Sequence, residues 1–180
     1  MTIVRWAPIT ETGEIPPMGD ELDRHLYGYK GAVRHSSCSA WNLLYSMLKE
    51  KGLPTAAVSF SETGKPFLVG SDIYFSLSHS KDICAVAIAD CPVGVDVEKC
   101  RDGYNPLMVG RSLSGNELAV FDGDFTRIWC RKEAVAKMTG EGITGYPDYI
   151  DTCDPGYCFT ENTVVHNDMK YWLVTASENR

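Results

Sequence analysis

Asp96 and Glu98 lie two residues apart in Val93-Gly94-Val95-Asp96-Val97-Glu98, where valine occupies every other position. Residues two apart on a strand project from one face, roughly 7 Å apart at Cα. The valines must then lie on a core, and the two acids stand side by side on the other face. With charges about 5 Å apart and an effective dielectric of about 20, their repulsion is about 3 kcal/mol. A divalent cation would convert that cost into binding, and an all-oxygen ligand set favours magnesium or manganese over zinc. The plain alternative is a polar, solvent-facing stripe on an amphipathic strand.

Three further segments carry reactive groups. The apolar stripe Phe125, Ile128, Trp129 continues at helical spacing onto Lys132 and Glu133, and a charge on such a stripe is costly unless paired or functional. Glu133 and Lys137 form an i, i+4 pair, worth about 0.3–0.5 kcal/mol when exposed. The competing reading is a lysine snorkelling beside a surface ion pair. Ser78-His79-Ser80 ends a strand; neighbours there point to opposite faces, so serine and histidine do not form a nucleophilic dyad. Their donors could hold phosphate, as could Lys65 in the turn Gly64-Lys65-Pro66.

The elements that must position these groups follow from periodicity. Ala40, Trp41, Leu44, Met47 and Leu48 predict a helix over Ser39 to Lys49, stopped by Gly52. From Ile73 to Glu98 the period is two, with short connections at Ser80-Lys81-Asp82 and Asp90-Cys91-Pro92, which predicts a three-stranded antiparallel meander. Ser114-Gly115-Asn116-Glu117 matches a capping box opening a short helix to Phe121. A longer helix over Phe125 to Thr139 is capped by Asp122 or Asp124 and stopped at Gly140. Strands at Tyr157 to Thr160 and Lys170 to Ala176 flank a turn at His166-Asn167-Asp168, whereas Glu11 to Pro17 reads as loop. The order is that of an α+β fold.

Composition narrows the class. At 180 residues with 44% apolar side chains the chain is an ordinary globular protein. No apolar run approaches the roughly 20 residues that span a bilayer, and the start lacks a signal-peptide layout, so a soluble cytoplasmic protein is expected. Seven cysteines, odd in number and without a C-x-x-C pair, exclude a complete disulfide framework and read mostly as core side chains. A net charge of −7 argues against nucleic-acid binding.

Gly64-Lys65-Pro66, Phe75-Ser76-Leu77-Ser78-His79-Ser80, Val93-Gly94-Val95-Asp96-Val97-Glu98 and Trp129-Cys130-Arg131-Lys132-Glu133-Ala134-Val135-Ala136-Lys137 together resemble the successive motifs of the 4′-phosphopantetheinyl transferases, the larger, surfactin-synthetase-activating type above all. The resemblance runs from Gly64 to about Gly142. It implies one α+β domain over residues 1–180, with two similar halves of approximately 1–90 and 91–180 related by a pseudo-twofold, antiparallel sheets packed by helices, and the site between the halves. It implies transfer of the phosphopantetheine arm of coenzyme A to a serine of an acyl or peptidyl carrier protein, releasing adenosine 3′,5′-bisphosphate. Asp96, Glu98 and Glu133 would bind Mg²⁺, with Mn²⁺ as an alternative, and Glu133 would take the serine proton directly or through a water. Lys137 would neutralise phosphate charge, Lys65, Ser78 and His79 would hold the phosphates or the 3′-phosphate of the nucleotide, and Lys30 and Arg34 are the candidates for the 3′-phosphate upstream of the first helix. The partners are then coenzyme A and a carrier protein, with no nucleic acid or membrane, and the enzyme is expected to be a monomer.

Carrier proteins are usually acidic, so an enzyme of net charge −7 must gather its cations where they dock. Arg127, Arg131, Lys132 and Lys137 are expected to make the field around their helix positive. A binding module for coenzyme A or a nucleotide, with a degenerate site, and a metal-dependent phosphohydrolase are the competing classes.

Overall fold

The computed structural model describes residues 1–53 and 56–179. Its elements are β1 (Ile3–Pro8), α1 (Asp20–Leu26), α2 (Gly31–Glu50), β2 (Val58–Phe60), β3 (Pro66–Leu68), β4 (Tyr74–Ser80), β5 (Ile83–Ala89), β6 (Val93–Lys99), α3 (Pro106–Ser112), α4 (Gly115–Ala119), α5 (Phe125–Thr139), β7 (Tyr157–His166) and β8 (Met169–Glu178). The class is α+β, with antiparallel sheets covered by helices. No helix among the described residues is long and apolar enough to cross a membrane.

One path is traced twice. Strand β1, helix α2 and the hairpin β4–β5 form a sheet of order β1-β5-β4; strand β6, helix α5 and the hairpin β7–β8 form a sheet of order β6-β8-β7. In both, the last strand of the path inserts between the first and the second. The two-stranded ribbon β2-β3 sits between α2 and β4 in sequence.

The expected meander is therefore wrong in its third strand. Both edges of β5 are taken, by β1 and by β4, so β6 cannot join it and pairs with β8 instead. Packing shows why β5 is built of small side chains. Val86 and Ile88 join the cluster around Leu44 and Leu48 of α2, whereas Ile83, Ala85, Ala87 and Ala89 pack against Val93, Val95 and Val97 of β6. A strand covered on both faces reads as a continuous apolar run.

The valine face of β6 is buried as expected, but its other face is roofed by α5 rather than by solvent. A Cβ added to Gly94 would stand 1.8 Å from the carbonyl oxygen of Ala134 and 2.7 Å from the amide nitrogen of Met138. Only glycine lets strand and helix approach this closely. Helix α5 starts at Asp124, whose carboxylate accepts from the Arg127 amide at 3.0 Å, and ends at Gly140, in the left-handed region at φ 83°.

Lys132 does not snorkel. It is fully buried, paired with Glu117 at 2.7 Å, and donates to the carbonyls of Pro147 and Ile150. Glu117 closes the capping box of α4 and also accepts from the amide and hydroxyl of Thr152. This pair fastens α4 and the 147–152 segment onto the side of α5.

Other expectations shift at their edges. The predicted helix over Ser39 to Lys49 extends back to Gly31, because its first two turns are half-exposed and hide their periodicity. The final hairpin runs further, over Tyr157–His166 and Met169–Glu178, since most of β7 faces solvent or lies half-buried. Only Cys38, Cys84 and Cys130 of the seven cysteines are buried; Cys91 and Cys100 are half-buried, Cys153 and Cys158 exposed, and all are free thiols. The expectation that most fill the core does not hold.

Replacing Gly94 by alanine forces backbone apart from backbone, and the expected loss is more than about 3 kcal/mol, read as a lower urea midpoint; an unchanged midpoint would refute the close approach. Glu117→Ala strands the Lys132 charge in the interior and should cost about 3–5 kcal/mol in the same assay. The double variant Glu117→Leu/Lys132→Met should lose less than the single one.

Candidate functional site

The face of β6 that meets α5 carries Gly94, Asp96 and Glu98 in sequence. Helix α5 presents Glu133 and Lys137, one turn apart, to the same space. With Ser78 and His79 from β4, these side chains line a cleft of about 370 Å³. Its far wall comes from α1, α2 and the β2-β3 ribbon, through His25, Ser37, Trp41, Phe60 and Pro66. An adjoining cavity of about 260 Å³ shares Gly64, Pro66, Leu77 and Lys137 with it and adds Lys65.

Asp96 is the centre of the polar network. It is 3% exposed, and its Oδ1 accepts from Lys137 Nζ at 2.6 Å and from Ser78 Oγ at 2.7 Å. Ser78 Oγ in turn accepts from Lys137 Nζ at 2.9 Å and from the Val97 amide at 3.3 Å. One donated and two accepted bonds use the whole capacity of a hydroxyl. The second oxygen of Asp96, Oδ2, is buried and has no hydrogen-bond partner among the described residues.

Glu98, next on the strand, accepts from Ser80 Oγ at 3.1 Å. Burial raises the pKa of Glu98, and the neighbouring Asp96 charge raises it further, against the Ser80 hydrogen bond. Burial likewise raises the pKa of Glu133, with Lys137 opposing. For Lys137, burial pulls downward but the contact with Asp96 outweighs it, so the ammonium is held above its ordinary value. Each carboxyl would be relieved by added positive charge.

Not every expected residue joins this cleft. Lys65 lines the adjoining cavity and donates to the Met138 carbonyl at the end of α5, and burial lowers its pKa. The guanidinium of Arg34 is spent on the backbone, donating to Gly13 O at 2.9 Å and Leu26 O at 3.3 Å, and Lys30 is exposed at the start of α2. Neither lines either cavity, because the positions before Ser36 fall on the outer turns of a helix longer than expected.

The cations around α5 also differ from expectation. Arg127 pairs with Asp122 at 2.7 Å, Arg131 with Glu161 at 2.5 Å, Lys132 with Glu117 at 2.7 Å and Lys137 with Asp96 at 2.6 Å. Each charge has an acid against it, which reduces the positive field expected of these four.

Sequence reasoning missed the aromatic wall. His25 stacks on Phe60 with centroids 4.5 Å apart and planes at 23°, and Phe60 meets Trp41 edge-on at 6.5 Å. Trp41 carried a signal, but only as a core residue; His25 lies on a seven-residue helix too short to show a period.

The donor set suits a hard cation: three carboxylates, one with a buried oxygen left over, and no thiolate or imidazole among them. The side chains share one cleft without converging on a point, and among the described residues no group of three or more acids, histidines or cysteines is already set to hold a metal ion.

Comparison with known proteins points to one family. The sequence model described as the 4′-phosphopantetheinyl transferase superfamily matches residues 92–172. The chain is 34% identical over 120 residues to the 4′-phosphopantetheinyl transferase AcpT of Salmonella typhi, a match covering 60% of this chain and 60% of that protein. It is 30% identical over 107 residues to the 4′-phosphopantetheinyl transferase of Bacillus subtilis, covering 53% of this chain and 47% of that one. The chain thus spans about half to three fifths of the length of these relatives. Against AcpT of Escherichia coli O157:H7 it is 32% identical over 137 residues, with 68% of this chain and 70% of the relative covered. Since the matched segment contains β6 and α5 with Asp96, Glu98, Glu133 and Lys137, and the Escherichia coli relative is covered over most of its length, the chain belongs to the 4′-phosphopantetheinyl transferase superfamily.

Proposed function

We propose that the protein transfers the 4′-phosphopantetheine arm of coenzyme A to a serine hydroxyl of an acyl or peptidyl carrier protein and releases adenosine 3′,5′-bisphosphate. The observation that carries this is the placing of Asp96, Glu98, Glu133 and Lys137 around one cleft, with Asp96 Oδ2 buried and unpartnered. Asp96, Glu98 and Glu133 are the residues that would hold Mg²⁺ or Mn²⁺. Such an ion, when bound, supplies Lewis-acid polarisation of the pyrophosphate.

The chain's own residues account for the remaining chemistry. Glu133 accepts the proton of the carrier serine, directly or through a water, as its oxygen bonds to the phosphorus bearing the pantetheine. The bond from that phosphorus to the oxygen of the nucleotide's phosphate breaks, and the electron pair leaves with the bisphosphate. Burial keeps the pKa of Glu133 raised, toward the range useful to a base. Lys137 stands beside Asp96 to neutralise phosphate charge, and His79 and Lys65 reach phosphates from the two adjoining cavities. The aromatic wall of His25, Phe60 and Trp41 offers a stacking surface for a planar base.

We read the whole chain as one transferase domain whose halves, approximately 1–90 and 91–180, are related by a pseudo-twofold. The repeated strand, helix and hairpin path supports this. The protein is proposed to act in the cytoplasm as a monomer, with no nucleic-acid or membrane partner. A second reading, a non-catalytic coenzyme A or nucleotide-binding module, is favoured by one observation: Lys137 occupies Asp96 Oδ1.

Incubation with coenzyme A, Mg²⁺ and an apo carrier protein separates the two. Transfer appears as a mass gain of about 340 Da on the carrier, and Asp96→Ala is expected to abolish it. Coenzyme A binding without transfer to any carrier of a panel would leave the binding module, whereas cleavage of coenzyme A without a carrier would indicate a phosphohydrolase.

The raised pKa values of Glu98 and Glu133 set a pH dependence for the cation. A carboxyl with a raised pKa keeps its proton to higher pH, and protons compete with metal. Mn²⁺ affinity, titrated from about pH 8 down to about pH 5, should therefore begin to weaken above the ordinary carboxylate value of about 4.3. A constant affinity over that window would contradict it.

A further inference from the structure

Strands β4 and β6 belong to different sheets, yet they run side by side in parallel register. No backbone ladder joins them. Strand β6 is an edge of its own sheet, and its outward amides are met by serine side chains: Val95 donates to Ser76 Oγ at 3.0 Å, Val97 to Ser78 Oγ at 3.3 Å and Lys99 to Ser80 Oγ at 3.2 Å. A buried edge must satisfy its N–H groups somehow, and here the alternation Ser76-Leu77-Ser78-His79-Ser80 does it.

The hydroxyl protons go a step further. Ser78 Oγ donates to Asp96 Oδ1 at 2.7 Å and Ser80 Oγ to Glu98 Oε2 at 3.1 Å. Each serine thus accepts from one residue of β6 and donates to the carboxylate just before it. At the third rung the residue in the equivalent place is Gly94, so Ser76 fastens the seam and holds no carboxylate.

We propose that Ser78 and Ser80 are positioning residues for the carboxylates: they fix Asp96 by Oδ1 and Glu98 by Oε2, and leave the other oxygen of each for the cation. This assigns Ser78 to Asp96 rather than to a phosphate, and it makes the seam between the two sheets part of the metal site. It rests on the reading of Asp96 and Glu98 as cation ligands. Partners that orient metal ligands in this way are worth roughly 10–100-fold in metal affinity.

The test compares Ser76→Ala with Ser80→Ala, using Mn²⁺ alone and following its binding by electron paramagnetic resonance. Ser76→Ala loses one bond across the seam and Ser80→Ala two, the amide bond from Lys99 and the bond to Glu98, and both should melt about 2–4 °C lower for each kcal/mol lost. Only Ser80→Ala should weaken Mn²⁺ binding, by roughly tenfold or more, and Ser80→Thr, which keeps a hydroxyl, should restore it. If Ser80→Ala does not fold, Ser80→Val against Ser80→Thr makes the same comparison at equal bulk. Unchanged Mn²⁺ affinity in Ser80→Ala or Ser80→Val, with the wild type binding normally, overturns the positioning role alone. A wild type that binds no Mn²⁺ overturns the cation reading and the serine assignment with it.

Discussion

The contact between α5 and β6 at Gly94 governs the arrangement of the whole site. Helix backbone rests on strand backbone there, with the Ala134 carbonyl where a side chain would otherwise stand. A glycine at the bottom of the face brings the helix down, and the next residues of that face, Asp96 and Glu98, come to lie beside Glu133 and Lys137. A larger residue at 94 would hold the two elements apart. Everything else attached to α5, from the Asp124 cap to the Lys132–Glu117 pair, keeps the helix in that one seat.

Much of this was legible in the sequence because it is local. The valine alternation of β6, the capping box at Ser114, the Asp124 and Gly140 boundaries of α5 and the i, i+4 relation of Glu133 to Lys137 depend on residues a few positions apart. The pairing of β6 is not local: nothing between Asp90 and Pro92 tells whether the chain turns back onto β5 or crosses to a partner that follows much later. The short helices α1 and α3 were silent for another reason, since seven residues make only about two helical turns, and β1, IVRWAP, does not alternate apolar with polar residues.

The candidate site divides the same way. Residue types at Asp96, Glu98, Glu133 and Lys137 announced their chemistry, and the fold brings all four to one cleft. The roles of Arg34, Lys65 and Lys132 could not be read, because each is decided by a distant backbone carbonyl or carboxylate: Gly13 and Leu26 for Arg34, Met138 for Lys65, Glu117 for Lys132. Counting cations around a helix was misleading for the same reason. A charge matters to a partner only after its neighbours have been subtracted, and around α5 every one of the four has an acid against it.

Strand β5 touches no part of the cleft, yet its alanines act as a shim. One wall of the cleft hangs from α2 and β4, which ride on the β1-β5-β4 sheet; the other is β6 with α5. Ala85, Ala87 and Ala89, with Ile83, are the side chains that β5 packs against the valines of β6. The gauge of the opening therefore depends on how small these side chains are, and a bulkier one in place of any of the alanines would retune the width offered to a ligand without altering a residue the ligand meets.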